Sequence, residues 1–346
     1  MGQLSLIPFC MSVGSLCTTP VCVFLIHKYG CKKLSGIGYL YIMLLPLIAL
    51  MPDWYCLYAL CMLYGAFVTL TDVSVNANSI ILEKAYRRPI IGLFHALFYV
   101  GMCCGALLSI LFLTFKVPVF YHLLFIAFIS LITFYIVRTY FLKEKPSMQS
   151  ANDKFRIMFP KGLLVLIAFI ALCGRIVEGS ISDWSTVYMK TIVDLSETIA
   201  PVGLATYSAF IAFGRFWVDA IRKRFSGPAI LIGCGVLSGL GLLVMIAGTE
   251  FYFAIMGLFI SGIGLSCLVP VIYSLSGNQK GVSPGEGLAM VNMISGTGFL
   301  FGPFIIGMIA DAYNMRVSFL YVFGLSLIMT ALMLAFRKKT KQASAG

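Results

Sequence analysis

Arg175 and Glu178 stand three residues apart in the otherwise apolar run 162–189, which also holds Asp183. On a helix that spacing puts guanidinium and carboxylate on one face, within reach of an ion pair. Such a pair either neutralises two charges locally, or it offers a polar solute a cation, an anion and a proton acceptor in apolar surroundings. Asp183, beside Trp184, reads either as part of this cluster or as a solvated mouth. In the run 55–82, steps of four and seven put Asp72, Asn76 and Glu83 on nearly one face, with Asn78 pointing elsewhere. Asp72 and Asn76 read as lining a polar path; Glu83, close to a basic loop, reads first as a salt-bridge partner. His95 and Tyr99 lie one turn apart in the run 90–114, where imidazole could exchange a proton near neutral pH. A lone His in a bundle is more commonly a hydrogen-bonded packing residue. Arg215 and Asp219, four apart, lead into Arg222, Lys223 and Arg224 and could form a charge lock; ordinary snorkelling of Arg215 is the plainer reading.

These groups suit binding and proton exchange. The sequence holds no nucleophile–base set, no metal-ligand spacing and no nucleotide loop, so neither enzyme activity nor a cofactor or metal is expected. Gly233-Cys234-Gly235 sits in an apolar run with no strand before it, so it is no dinucleotide loop. The 11 cysteines are scattered through apolar runs and read as small hydrophobic packing residues.

The elements that must position these groups are membrane helices. Hydrophobic residues make up 60% of the 346-residue chain, charged residues 11%, and mean hydropathy is +0.98. A soluble domain averages about 25% charged residues, so lipid is the solvent for most of this chain. Eleven runs reach or approach the length of a span: 3–26, 34–51, 55–82, 90–114, 118–141, 162–189, 198–220, 228–248, 251–277, 286–310 and 317–336. Backbone groups in lipid must be paired internally, so these are helices. Ionisable groups inside them cost about 2.5–3.5 kcal/mol each near the bilayer centre, which makes each a functional candidate.

Alternate gaps between the runs differ in charge. Of 25 Lys and Arg, 20 fall in one set of gaps and 3 in the other, so the first set is expected to face the cytoplasm. The N-terminus then lies outside and the C-terminus inside. The net charge of +12 follows from this bias and calls for no nucleic acid partner.

The polar stretch 142–161 reads as a cytoplasmic linker between a five-helix bundle, 1–141, and a six-helix bundle, 162–336, followed by a basic tail, 337–346. At an offset of 197 residues Gly30 meets Gly227, Gly65 meets Gly262, Gly101 meets Gly298, Gly105 meets Gly302, and His95 meets Asn292. Internal repeats of this kind are common in secondary transporters. Carried back by the same offset, 162–189 has no partner after Met1, so the first half is expected to lack an opening helix. The GxxxG pairs Gly101–Gly105 and Gly298–Gly302 should mark close helix contact.

With these residues in view, the chain resembles the major facilitator superfamily. His27-Lys28-Tyr29-Gly30-Cys31-Lys32-Lys33 resembles that family's loop signature Asp-Arg-x-Gly-Arg-Arg, with His27 in place of the acid. Gly214-Arg215-Phe-Trp-Val-Asp219 and its basic tail resemble the second copy. Asp72 through Glu83, Arg88-Pro89, His95-Ala-Leu-Phe and Glu178-Gly-Ser-Ile-Ser-Asp183-Trp184 resemble a bacterial inner-membrane branch related to fucose permease. The resemblance implies an all-α bundle of two helical repeats around a central cavity. It implies a secondary transporter working by alternating access on a small solute, sugar-like or otherwise polar, with proton coupling open. It makes Lys28, Gly30, Lys32, Glu83, Arg215 and Asp219 candidates for a cytoplasmic gate. Asp72, Asn76, His95, Tyr99, Arg175, Glu178, Asp183 and Asn292 become candidates for the substrate or proton pathway. A truncated, non-transporting membrane protein is the alternative.

Overall fold

The structure, a computed structural model, describes residues 2–86, 91–140, 159–279 and 284–345. The expected linker 142–161 falls almost wholly outside them, as do Arg88-Pro89; the side chain of His27 is also outside what is described. Among the described residues there are fourteen helices and no strand. They are α1 (Gly2–Tyr29), α2 (Cys31–Gly38), α3 (Tyr41–Ile48), α4 (Trp54–Tyr86), α5 (Ile91–Thr114), α6 (Val119–Val137) and α7 (Leu163–Thr191). The others are α8 (Val202–Phe216), α9 (Val218–Arg224), α10 (Gly227–Ala247), α11 (Phe251–Ser266), α12 (Leu268–Gly277), α13 (Pro284–Ala312) and α14 (Met315–Ala345).

Among the described residues ten helical stretches are long and apolar enough to cross a membrane. The eleventh expected run, 198–220, is shorter as a helix: α8 stops at Phe216 and the basic α9 follows. Two spans are broken. The stretch 31–48 divides into α2 and α3, and 251–277 divides into α11 and α12 at Cys267. Pro270 accounts for the second break. It has no N–H to give to Ser266, and its ring crowds the preceding turn. Gly30 makes the turn between α1 and α2 with φ 78°, a left-handed conformation that suits glycine.

The described residues form two compact units. The smaller holds α1–α4, α6 and the tip of α5 that leads into it. In it α2 packs on α4 and α3 on α6, and Tyr39 stacks on Phe134 with ring centroids 4.2 Å apart. Asp53 caps α4 by accepting from the Cys56 N–H at 2.8 Å, which holds its carboxyl below the usual carboxylate range.

The larger unit holds most of α5 (Gly92–Leu111) together with α7–α14. α7 is its central helix. Of its apolar stretch 72% is buried inside the protein, against 6% for α6 in the other unit. It packs on α13, α14, α8, α12 and α11. Arg316 donates from Nε to the Ile246 carbonyl at 2.9 Å and from Nη2 to the Ala247 carbonyl at 3.3 Å, closing the C-terminus of α10. Lys190 pairs with Glu197 and holds that carboxyl below its usual range. Two of the three basic residues outside the main charge bias thus have local structural jobs.

Helices in lipid gain no hydrophobic drive from one another, so close approach falls to small residues. In the smaller unit a Cβ on Gly65 would stand 2.0 Å from the Met11 carbonyl oxygen. In the larger unit a Cβ on Gly262, 197 residues on, would stand 2.9 Å from the Tyr207 carbonyl oxygen. The same kind of backbone approach therefore recurs at equivalent places along the chain. The two GxxxG pairs differ. Gly298 and Gly302 lie against Leu172, Arg175 and Ile176 of α7, whereas a Cβ added at Gly101 or Gly105 would meet nothing within 4 Å among the described residues. Gly65→Ala should therefore lower the melting temperature of the purified protein in detergent, by an overpacking cost of about 1–3 kcal/mol. Gly101→Ala should leave it unchanged or slightly raised, and equal effects would contradict this packing.

Candidate functional site

The site is built around the middle of α7. Glu178 is buried there, and its partner is Arg215 from the last turns of α8. Arg215 Nη2 lies 3.3 Å from Glu178 Oε1, and the two side chains are 4% and 5% exposed. The Tyr99 hydroxyl of α5 donates to the same oxygen. The Arg215 guanidinium also lies over the Tyr99 ring, 4.3 Å from its centroid, and reaches the His95 carbonyl oxygen at 3.5 Å. One carboxylate, one guanidinium and one phenol from three helices thus form a single buried group.

His95 and Tyr99, one turn apart, both meet Arg215, so the shared face inferred for them is real. His95 takes part through its backbone, and its imidazole is half-buried. Arg175 is also close to this group, but its polar partner is different. Its Nη2 donates to the Tyr273 hydroxyl of α12 at 2.9 Å, and its guanidinium lies 5.1 Å from the Phe299 ring centroid. The ion pair available between Arg175 and Glu178 by spacing is thus not the one formed. Helix spacing constrains neighbours on α7 but says nothing of a guanidinium arriving from α8.

Arg215 is likewise turned towards Glu178, while Asp219 on α9 is exposed. Asp183 is exposed, eight residues before the end of α7, and Asn292 is half-buried in α13. Asp72 and Asn76 belong to the smaller unit, where Asn76 Nδ2 donates to Asp72 Oδ1 at 2.9 Å on one face of α4. Asn78 is buried and Glu83 half-buried; Lys28 is exposed and Lys32 half-buried on either side of the Gly30 turn.

Three further residues belong to the site: Tyr207, Tyr273 and Phe299. The Tyr207 side chain is fully buried in α8, about two turns before Arg215, and that spacing was the available signal. Among the described residues the Tyr207 hydroxyl, Glu178 Oε2 and Arg215 Nε are buried without a hydrogen-bond partner. Serine and threonine hydroxyls nearby are spent on their own helices: Ser180 donates to Ile176, Thr206 to Val202 and Ser208 to Leu204. Trp184 Nε1 and Ser185 Oγ, further along α7, are also buried without a partner, so three of the five such atoms among the described residues lie at this site. Unsatisfied buried polar atoms are costly and mark places where water, a proton or a ligand can act.

The comparisons with known proteins agree with this fold. An uncharacterised MFS-type transporter of Yersinia pestis is 28% identical over 323 residues, covering 92% of this chain and 82% of that protein. Membrane protein MosC of Rhizobium meliloti is 24% identical over 334 residues, covering 95% and 80%. The crystal structure of a mutant of the nucleoside transporter NupG superposes with a TM-score of 0.79 at 12% identity, covering 97% of this chain and 90% of that one, a likeness of fold alone. The family model of the Major Facilitator Superfamily matches residues 1–279 and 164–346. The chain belongs to the major facilitator superfamily and is a multi-pass membrane protein of the secondary-transporter class.

Proposed function

We propose that the protein moves a small polar solute across the bacterial inner membrane by alternating access, and that the Glu178–Arg215 pair couples this movement to protons. The observation that carries the reading is a carboxylate buried at the middle of a membrane helix, held by a guanidinium from another helix, with one oxygen unpartnered. A structural charge pair would be expected to have all its polar atoms satisfied. Here Arg215 is the removable partner. If it leaves, Glu178 becomes a buried carboxylate without its counter-ion, a state that uptake of a proton relieves. Tyr99 can follow the change, because a phenol can both donate to a carboxylate and accept from a carboxylic acid.

The recurrence of Gly65 and Gly262 contacts at the 197-residue offset supports reading the two halves as repeats, the arrangement common among secondary transporters. The turn at Gly30, with Lys28 and Lys32 beside it, fits a hinge at a cytoplasmic gate, as does α9 with Asp219 and its basic tail. The 20-to-3 charge bias supports a cytoplasmic C-terminus. A cysteine placed at Lys338 should react with an impermeant reagent only from the cytoplasmic face; labelling from outside the cell would reverse the orientation.

Glu178→Gln separates coupling from binding, because the amide oxygen still accepts from Tyr99 and Arg215 while the side chain no longer ionises. In proteoliposomes the variant should lose uptake driven by a pH gradient, by about 100-fold, on the scale of losing a positioned acid–base group. It should keep counterflow exchange of the same solute. Unchanged gradient-driven uptake would remove Glu178 from the coupling path.

A further inference from the structure

We infer that Arg175 is an anchor for the carboxylate of a monoanionic solute. The inference rests on the transporter reading above and names the chemical class of what is carried. It follows from counting charge around α7. The middle of α7 has two guanidinium groups around it, Arg175 and Arg215, and one buried carboxylate, Glu178. Arg215 takes that carboxylate at 3.3 Å. Among the described residues no carboxylate lies within ion-pair distance of Arg175; its polar partner is a neutral phenol, Tyr273, and its face is covered by Phe299. Asp183 is two turns further along α7 and exposed, and Asp219 is exposed on α9.

One positive charge in the middle of a membrane unit is therefore left without a counter-ion. A cation in that position is costly and calls for an anion. Arg175 is half-buried, so its guanidinium remains reachable, unlike that of Arg215. The planar fork of Arg matches a carboxylate bidentately, and a bound carboxylate would bring the local charge to zero. A neutral polyol would leave the charge unmet, and a phosphate dianion would overshoot it. Tyr273 and Phe299 hold the guanidinium in place from two further helices, so little side-chain freedom is lost on binding.

The test uses matched solutes on the full-length protein purified in detergent. Glycolate, lactate, glycerate and gluconate are each compared with their neutral alcohols, ethylene glycol, propane-1,2-diol, glycerol and sorbitol, at equal ionic strength. Thermal stabilisation reports binding, since a ligand of the folded state raises the melting temperature. At least one acid should stabilise the protein while its alcohol does not. Arg175→Gln should weaken that acid more than about tenfold, and Arg175→Lys should weaken it less, because charge is kept while the fork is lost. Stabilisation by an alcohol as strong as by its acid would overturn the inference, as would an unchanged response in Arg175→Gln or no acid-dependent response across the panel. Flux in proteoliposomes separates the two readings. Transport of a neutral alcohol in place of its acid would leave the transporter standing without this anchor. Acid-specific stabilisation with no counterflow of any solute would leave the anchor standing without transport.

Discussion

The larger unit is organised by the need to keep two cations and one anion away from lipid. The Glu178–Arg215 pair fixes α7 against α8, and Tyr99 brings α5 to the same point. Arg175 then fixes the next turns of α7 against α12 and α13 through Tyr273 and Phe299. Four helices beyond α7 are thus tied to two turns of it by polar contacts. Small residues let the helices come close enough for those contacts: a Cβ added at Gly298 or Gly302 would stand only 3.2–3.6 Å from α7 atoms. In a bilayer, where apolar burial between helices contributes little, such contacts specify which helices meet.

The same contacts also mark where movement could begin. Arg215 Nε, Glu178 Oε2 and the Tyr207 hydroxyl are buried and unpaired, so the group is not at its polar optimum. Hydrogen bonds to charged groups contribute about 1.5–3 kcal/mol each, and a proton, water or solute that satisfies these atoms could shift the balance by that order. Binding that differs between two states is what moves such an equilibrium.

Much of this was legible in the sequence because lipid imposes simple rules. Long apolar runs had to be helices, and each of the eleven reappears as a helix or a pair of helices. Ionisable groups in spans had to be sheltered, which singled out Arg175, Glu178 and His95, with Tyr99 one turn beyond His95. Helix periodicity could not reveal partners from distant segments. It grouped Arg175 with Glu178 and Arg215 with Asp219, whereas the structure joins Glu178 to Arg215 across 37 residues. Tyr273 and Phe299 gave no signal, because aromatic residues in apolar runs read as packing. The pairs Gly101–Gly105 and Gly298–Gly302 look alike in sequence, yet among the described residues only at the second would an added Cβ meet another helix.

The central claim is that Glu178 and Arg215 act as one unit, and a double-substitution cycle on thermal unfolding tests it most directly. Glu178→Leu and Arg215→Met, each alone, strand a buried charge and should destabilise the protein by about 3–5 kcal/mol. Together they remove both members of the pair and strand neither, so the double variant should be far more stable than the sum of the two losses predicts. Losses that simply add would show that the two residues do not depend on each other, and would contradict the account.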